Sequence, residues 1–487
     1  MKADEMKNLK FQFRTMNTKK ITFVSAGIKV PKKESSKNCL YLNYGLLGLA
    51  TNLHMKGYNV KMYQGDYNSV DTTLSKIGDT VDTNYPIFLS VPSFLALSWA
   101  EEFVKKAKKI YNTKIVLGGR WTIDNNLEWI KNKLPDVDFF SLGCPDDVID
   151  KLIFPENWET YASPQKYSAP FGHLEYTLLN DFQKYQPVIE VSRGCGSGCE
   201  FCLESKFKLC GMKKPAEIIE EAKYLAKIYN DNSLNIYFEA SHFNPKKEWA
   251  IEFAKLYKKS NANFKWRCTS RVDTFKPEIA KILSETNLKV VDLGLESASI
   301  DQLERMNKSR NPKEYLNKAA ELIKTMSEVG IWAKLNILLY AGETSKTIEE
   351  TTAWLAKNKC NFKGISANPL SIYRNGSQTQ SFIDEVETIS QIKVSPSKLE
   401  ELEKNGITYP DLSCEISYEK AKKTAKEMAG KFMSPKDFAD LKSICYTPRT
   451  CQSHKRKTRI SSNKNHTTIV KLPYFTKRQK TSTANTY

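Results

Sequence analysis

Short apolar runs alternate with helix-period stretches along residues 20–153. Ile21–Val24, Asn59–Tyr63, Ile87–Val91, Lys114–Leu117 and Asp138–Leu142 are brief and rich in β-branched or aromatic side chains, as strands buried on both faces are. Between them, Gly45–Lys56 carries apolar residues at helical spacing and stops at Gly57, a residue suited to the left-handed position just past a helix. Trp99–Tyr111 is amphipathic with the same period. This alternation predicts a parallel, doubly wound, Rossmann-like sheet over 20–153. Ligands of such sheets sit at the carboxyl ends of the strands, where Ser90, Pro92, Ser93, Gly118 and Gly119 fall. Residues 154–186 are proline-containing, polar and weakly periodic, and read as a linker packed across both neighbours.

A second alternation begins at Pro187. Strands are predicted at Val188–Val191, Leu234–Glu239, Phe264–Thr269, Val290–Leu295, Trp332–Leu339 and Gly364–Ala367. Helices are predicted at Pro215–Tyr229, Lys246–Lys259, Lys276–Glu285, Lys313–Val329 and Lys346–Lys357. Six such units over 187–375 suggest a partial (β/α)6 barrel with its chemistry at the carboxyl ends of the strands. Residues 376–442 read as a mostly helical C-terminal region. The fold class is therefore α/β, two domains with a helical addition.

Composition alters this picture in three places. At 487 residues with 40% hydrophobic and 11% aromatic content, the chain is an ordinary globular protein. It has no apolar run long enough to cross a membrane and no apolar core in its first twenty residues to act as a secretory signal, so a cytoplasmic location is expected. Eleven cysteines, an odd number scattered widely, suit metal or redox chemistry better than a disulfide framework. The net charge of +19 is uneven: residues 443–487 hold ten Lys/Arg and no acidic residue. Such a block reads as a disordered, solvated tail, the one part of the chain suited to nucleic acid or an acidic membrane surface.

The segment Arg193-Gly-Cys195-Gly-Ser-Gly-Cys199-Glu-Phe-Cys202 follows the first barrel strand. Three thiolates are one short of the four that close a cubane cluster, leaving one iron open to an outside ligand. Gly194, Gly196 and Gly198 let the loop curl around a bulky group without Cβ clashes. Zinc, completed by Cys210, is the alternative on spacing alone.

This segment, with the strand ends after it, resembles the radical S-adenosylmethionine (SAM) superfamily, and the N-terminal domain resembles the branch that carries a cobalamin-binding-like domain. The resemblance implies that Cys195, Cys199 and Cys202 bind a [4Fe–4S] cluster whose fourth iron chelates SAM. Phe201 would lie near the adenine. Glu239 would accept the SAM ammonium, and Arg271 would pair with its carboxylate or serve in a structural ion pair. Glu296, in Gly294-Leu-Glu-Ser297, would bind the ribose hydroxyls, as a carboxylate accepting two donors can; Ser297 stands beside it, or caps the next helix. Ala341-Gly-Glu-Thr344 resembles the family's Pro-Gly-Glu-Thr turn without its proline and reads as scaffold, with Thr344 as a helix cap. His54 reads as structural and His242 as a residue near the active-site mouth.

For the N-terminal domain the resemblance implies cobalamin contacts at Asp66, Ser90, Ser93, Gly118 and Gly119. The family's Asp-x-His-x-x-Gly motif is departed from: Gly65-Asp-Tyr-Asn68 has no His. The implied reaction is cleavage of SAM to a 5′-deoxyadenosyl radical and methylation of an unactivated carbon, or of phosphorus, with cobalamin as methyl carrier. The alternatives are a radical oxidoreductase, cyclase or mutase without methyl transfer and, more remotely, a zinc-stabilised nucleic-acid-binding protein. A methylthiotransferase is disfavoured, because only Cys39 and Cys144 precede Cys195 where that group needs a further trio. An electron donor such as flavodoxin or ferredoxin is implied, and small-molecule, lipid and peptide substrates all remain open.

Overall fold

A computed structural model describes residues 20–29, 40–122, 126–154, 159–163, 169–376 and 378–448. Cys39, Cys451 and the basic tail from residue 449 onward lie outside them.

The first sheet is all parallel and runs β2-β1-β3-β4-β5-β6. Its strands are β1 (Lys20–Ser25), β2 (Asn59–Gln64), β3 (Ile87–Ser90), β4 (Ile115–Gly118), β5 (Phe139–Leu142) and β6 (Thr160–Ala162). β1 and β3 are nearly wholly buried, which is why they read as continuous apolar runs. The helices are α1 (Tyr44–Met55), α2 (Val70–Ile77), α3 (Leu97–Tyr111) and α4 (Leu127–Lys133). Asn43 caps α1 through the amide of Leu46. The strand order turns back on itself between β1 and β3, which makes their carboxyl ends the ligand crevice of this topology. β6 corrects the reading of 154–186 as linker throughout: three residues extend the sheet, too few to leave a periodic trace. The rest of that segment is anchored by packing. Tyr176 is fully buried, and its hydroxyl both donates to the Val188 carbonyl at 2.8 Å and accepts from the Val188 amide at 2.7 Å.

The second sheet is also parallel, ordered β12-β11-β10-β9-β8-β7 and left open. It comprises β7 (Val188–Glu190), β8 (Asn235–Glu239), β9 (Lys265–Arg271), β10 (Leu288–Glu296), β11 (Trp332–Leu339) and β12 (Gly364–Pro369). Outside it run α5 (Pro215–Tyr229), α6 (Lys247–Lys259), α7 (Pro277–Ser284), α8 (Ile300–Arg305), α9 (Pro312–Glu328) and α10 (Ser345–Lys357). Alternation along the strands sends Trp266, Cys268, Val291, Leu293, Ala333 and Leu335 into the core. The opposite face is polar: Tyr237 meets Thr269 at 2.8 Å, and Asp292 lies between Arg267 and Lys334. A closed barrel would fill that interior with branched apolar layers.

After β12 come β13 (Ile372–Tyr373), α11 (Gln378–Ser390), α12 (Pro396–Asn405), β14 (Ile407–Thr408), α13 (Tyr418–Phe432) and α14 (Pro435–Ser443). Leu441 and Ile444 pack on Val290 and Trp332 at the amino ends of β10 and β11. The C-terminal helices thereby cover the end of the barrel away from the cysteines.

Candidate active site

The cysteine loop leaves β7 and turns on three glycines with positive φ, Gly194, Gly196 and Gly198. At Gly194 a Cβ would stand 2.3 Å from the Lys208 carbonyl oxygen, so only glycine fits there without rebuilding. The loop is closed by backbone bonds from Cys195 to Phe207 and from Cys210 to Arg193, both 2.9 Å. Cys199 is buried, and Cys195 and Cys202 are partly exposed. Burial pushes the Cys202 thiol up, and the nearby Cys199 and Cys195 sulfurs add to the effect, so the three thiols share one neighbourhood. Cys210, the alternative fourth ligand, instead directs its sulfur at the Lys208 carbonyl. Among the described residues, no three His, Cys, Asp or Glu converge closely enough for one metal ion. Three thiols on one loop within electrostatic reach of one another can together hold a multi-iron cluster that leaves one iron open.

The strand ends bring the remaining candidates around this loop. Glu239 ends β8. Burial, then the neighbouring Glu190 and Glu204 carboxylates, push its carboxyl up to about 7. A half-buried carboxylate beside two others, lining the cavity, is a site for a cation. Glu296 ends β10 with φ 65° and accepts from Lys308 Nζ at 3.0 Å. Its backbone is braced by Tyr315, whose hydroxyl donates to the Gly294 and Leu295 carbonyls at 2.9 and 3.1 Å. Lys308 also lies 5.8 Å from the centroid of Phe201, so Phe201, Glu296 and Lys308 line one corner. Ser297 is buried and turned away: its hydroxyl contacts Thr351 at 3.0 Å and accepts from the Ser299 amide at 3.1 Å. Arg271 ends β9 with its guanidinium on Asp273 and Cys199. His242 is buried against Thr274, and burial followed by the Arg271 charge lowers its pKa to about 4, leaving a neutral imidazole. Thr344 caps α10.

A cavity of about 1020 Å³ opens between the cysteine loop and the first sheet. Its floor includes Ser25, Ser90, Gly118 and Gly119 at the strand ends, and its roof includes Arg193, Glu204, Glu239 and Ser241. Drug-sized pockets span about 300–1,000 Å³, so the space suits a large cofactor. Gly119, at φ 122°, allows a close approach of chain to chain: a Cβ there would stand 2.8 Å from the Val91 carbonyl oxygen. Asn43 Nδ2 joins the two crevice strands by donating to Ser25 at 3.0 Å and Ser90 at 3.3 Å. Asp66 lines the cavity but follows β2, one strand away from the reversal, and accepts from the Tyr185 hydroxyl at 2.6 Å. Ser93 is not among the lining residues; its hydroxyl caps a short turn through the Leu95 amide. None of the described lining residues is a His. These features fit cobalamin held by strand ends, with no His for cobalt.

Two ion pairs join the domains at the cavity rim, and neither left a local signal along the chain. Arg120 meets Glu204 at 2.8 Å. Arg193 reaches Asp146 at 2.9 Å and Glu190 at 2.7 Å, with its guanidinium 3.9 Å from the Phe171 ring centroid. Arginines next to Gly-Gly and Gly-Cys were visible; Glu204 and Asp146, the partners that join the domains, lay across the domain boundary.

Residues 189–355 match the family model of the Radical SAM superfamily. An uncharacterized methyltransferase of Pyrococcus horikoshii is 28% identical over 173 residues, 35% of this chain and 36% of that protein. A tRNA-2-methylthio-N(6)-dimethylallyladenosine synthase of Clostridium novyi is 28% identical over 261 residues, 46% of this chain and 57% of its own. The matches thus span well under two thirds of these relatives. Among solved structures, the cobalamin-dependent SAM radical enzyme OxsB, with aqua-cobalamin and SAM bound, aligns with TM-score 0.57 at 15% identity, covering 77% of this chain and 57% of that one. The radical SAM methyltransferase TsrM of Kitasatospora setae, with cobalamin and a [4Fe–4S] cluster bound, aligns with TM-score 0.56 at 14% identity, covering 72% of each. At these identities the likeness is one of fold.

Proposed function

We propose that this chain, whose residues 189–355 are a radical SAM domain, is a cobalamin-dependent methyltransferase acting on an unactivated carbon or on phosphorus. The observation that carries this reading is the cavity of about 1020 Å³ shared by the cysteine loop and the β1/β3 crevice. It has room for a large cofactor on the first sheet opposite the barrel mouth. OxsB and TsrM, which share the fold, were solved with cobalamin in place.

Cys195, Cys199 and Cys202 would hold the cluster. When bound, the cluster and cobalamin supply the electron for SAM cleavage and the carrier for a methyl group; the protein's own part is placement and exclusion of water. Glu239 holds the SAM ammonium with its half-buried carboxyl, which gives up its proton to the cation. Glu296, fixed in a left-handed conformation by Tyr315, offers its carboxylate to the ribose, and Phe201 flanks the adenine. Arg271 contacts the cluster loop, and Ser297, held by Thr351 and the Ser299 amide, shapes the turn after Glu296. Ser90, Gly118 and Gly119 cradle the cobalamin, with Asp66 beside them and Ser93 shaping the turn behind. A low-potential donor such as flavodoxin or ferredoxin supplies electrons. No described helix is long and apolar enough to cross a membrane.

The test is anaerobic reconstitution of wild type and Cys199→Ala with iron and sulfide, then SAM and dithionite with hydroxocobalamin. Wild type should make 5′-deoxyadenosine and S-adenosylhomocysteine, and the variant should make no 5′-deoxyadenosine. 5′-Deoxyadenosine without retained cobalamin would favour rearrangement or oxidation. Stoichiometric zinc without SAM cleavage would overturn the enzyme reading.

A further inference from the structure

Arg271 is committed in a way that a SAM-carboxylate clamp would not be. Its Nη1 donates to Cys199 Sγ at 3.0 Å. Nε and Nη2 grip the two oxygens of Asp273 at 2.9 and 3.0 Å, and Nη2 also donates to the Lys308 carbonyl at 2.7 Å. A guanidinium has five N–H groups, so one, on Nη1, is left over. A bidentate grip on a second carboxylate needs two.

The carbonyl that fixes this fork belongs to a segment stitched to the cysteine loop on both sides of Cys199. Asn307 Nδ2 donates to the Gly198 carbonyl at 3.0 Å, and the Glu200 amide donates to the Met306 carbonyl at 3.2 Å. The cation is therefore held on Cys199 by contacts that need no cluster and no SAM. Cys195, by contrast, has the neutral Ser197 hydroxyl at 2.9 Å from its sulfur.

We propose that Arg271 is a positioning residue that sets the reduction potential of the cluster through Cys199, with Asp273 and the Lys308 carbonyl as its clamp. This rests on the cluster reading above. Hydrogen bonds to ligand sulfurs and nearby net charge are principal determinants of iron–sulfur potentials. A buried cationic donor favours the reduced cluster, which carries one more negative charge, and the planar guanidinium holds that donor in one direction.

The measurement is an EPR-monitored redox titration without SAM, so that any role in SAM binding is silent. Arg271→Met should lower the ratio of reduced to oxidised cluster at a fixed potential about tenfold, a shift of about 59 mV to more negative values for one electron. Arg271→Lys keeps the charge without the fork and should shift less. Should these variants fail to hold four irons, pulsed EPR of reduced, SAM-free wild type grown with 15N-arginine decides: a nitrogen coupling supports the contact, and its absence overturns it. Full iron content with an unchanged potential in Arg271→Met also overturns it, and weaker SAM binding alone would return Arg271 to SAM. A wild type that binds no cluster would sink the function reading itself, a result distinct from a cluster of unaltered potential.

Discussion

Glu239 ties stability to ligand binding in a way that can be measured. Its carboxyl is raised from 4.5 to about 7, by burial first and then by Glu190 and Glu204. Between those values the native carboxyl keeps a proton that the unfolded chain has released. The native state then binds more protons, and stability falls as pH rises through the window. Each pKa unit is about 1.4 kcal/mol, so the charge costs at most about 3.5 kcal/mol above pH 7, and less where water in the open cavity screens it. Glu239→Gln keeps the shape and removes the charge. In urea unfolding of the cofactor-free protein, we expect the variant to be about 1–3 kcal/mol more stable than wild type at pH 8 and within about 0.5 kcal/mol of it at pH 5. SAM affinity should fall in the variant, because the ammonium loses its counter-charge. In wild type at pH 6, SAM binding should release a proton from Glu239, read by calorimetry in buffers of different ionisation heat; the variant should release none. An equal stability change at both pH values, or proton release that survives the substitution, would refute the reasoning.

Three further outcomes follow from packing. Arg193→Met strands Glu190, which is 1% exposed, and should cost about 3–5 kcal/mol in urea unfolding; adding Glu190→Gln should recover a good part of it. Gly119→Ala forces a Cβ to within 2.8 Å of the Val91 carbonyl oxygen at φ 122°. It should destabilise the first domain by more than about 1 kcal/mol and lower retained hydroxocobalamin while iron content stays unchanged. Tyr315→Phe removes the bonds that brace Glu296 and should cost about 1–2 kcal/mol, raising the KM for SAM with cluster spectra unaltered.

The strands and helices that the periodicity predicted in both domains formed there, because each is a local pattern of burial, whereas the short helices α2, α4 and α8 were not predicted. The three-residue β6 had no period to show. The site divided along the same line. Cys195, Cys199 and Cys202 stand close in sequence on one loop, so their joint role was legible from spacing and glycine content. The strand-end candidates Glu239, Arg271 and Glu296 were legible by position but not by partner. Arg271 was open to SAM or to a structural ion pair until the fold brought Cys199, 72 residues away, to its guanidinium. Lys308 carried no motif at all.

What the sequence by itself determined was the order of elements and the cysteine loop, since burial periodicity and ligand spacing are written in neighbouring residues. Strand order, the β1/β3 reversal that leaves Asp66 beside the crevice, the turn of Ser297 away from the cavity and the domain-joining pairs of Arg120 and Arg193 were decided only in three dimensions. Each depends on which distant segments share a boundary, and a charge or hydroxyl takes its role from the partner that packing delivers to it.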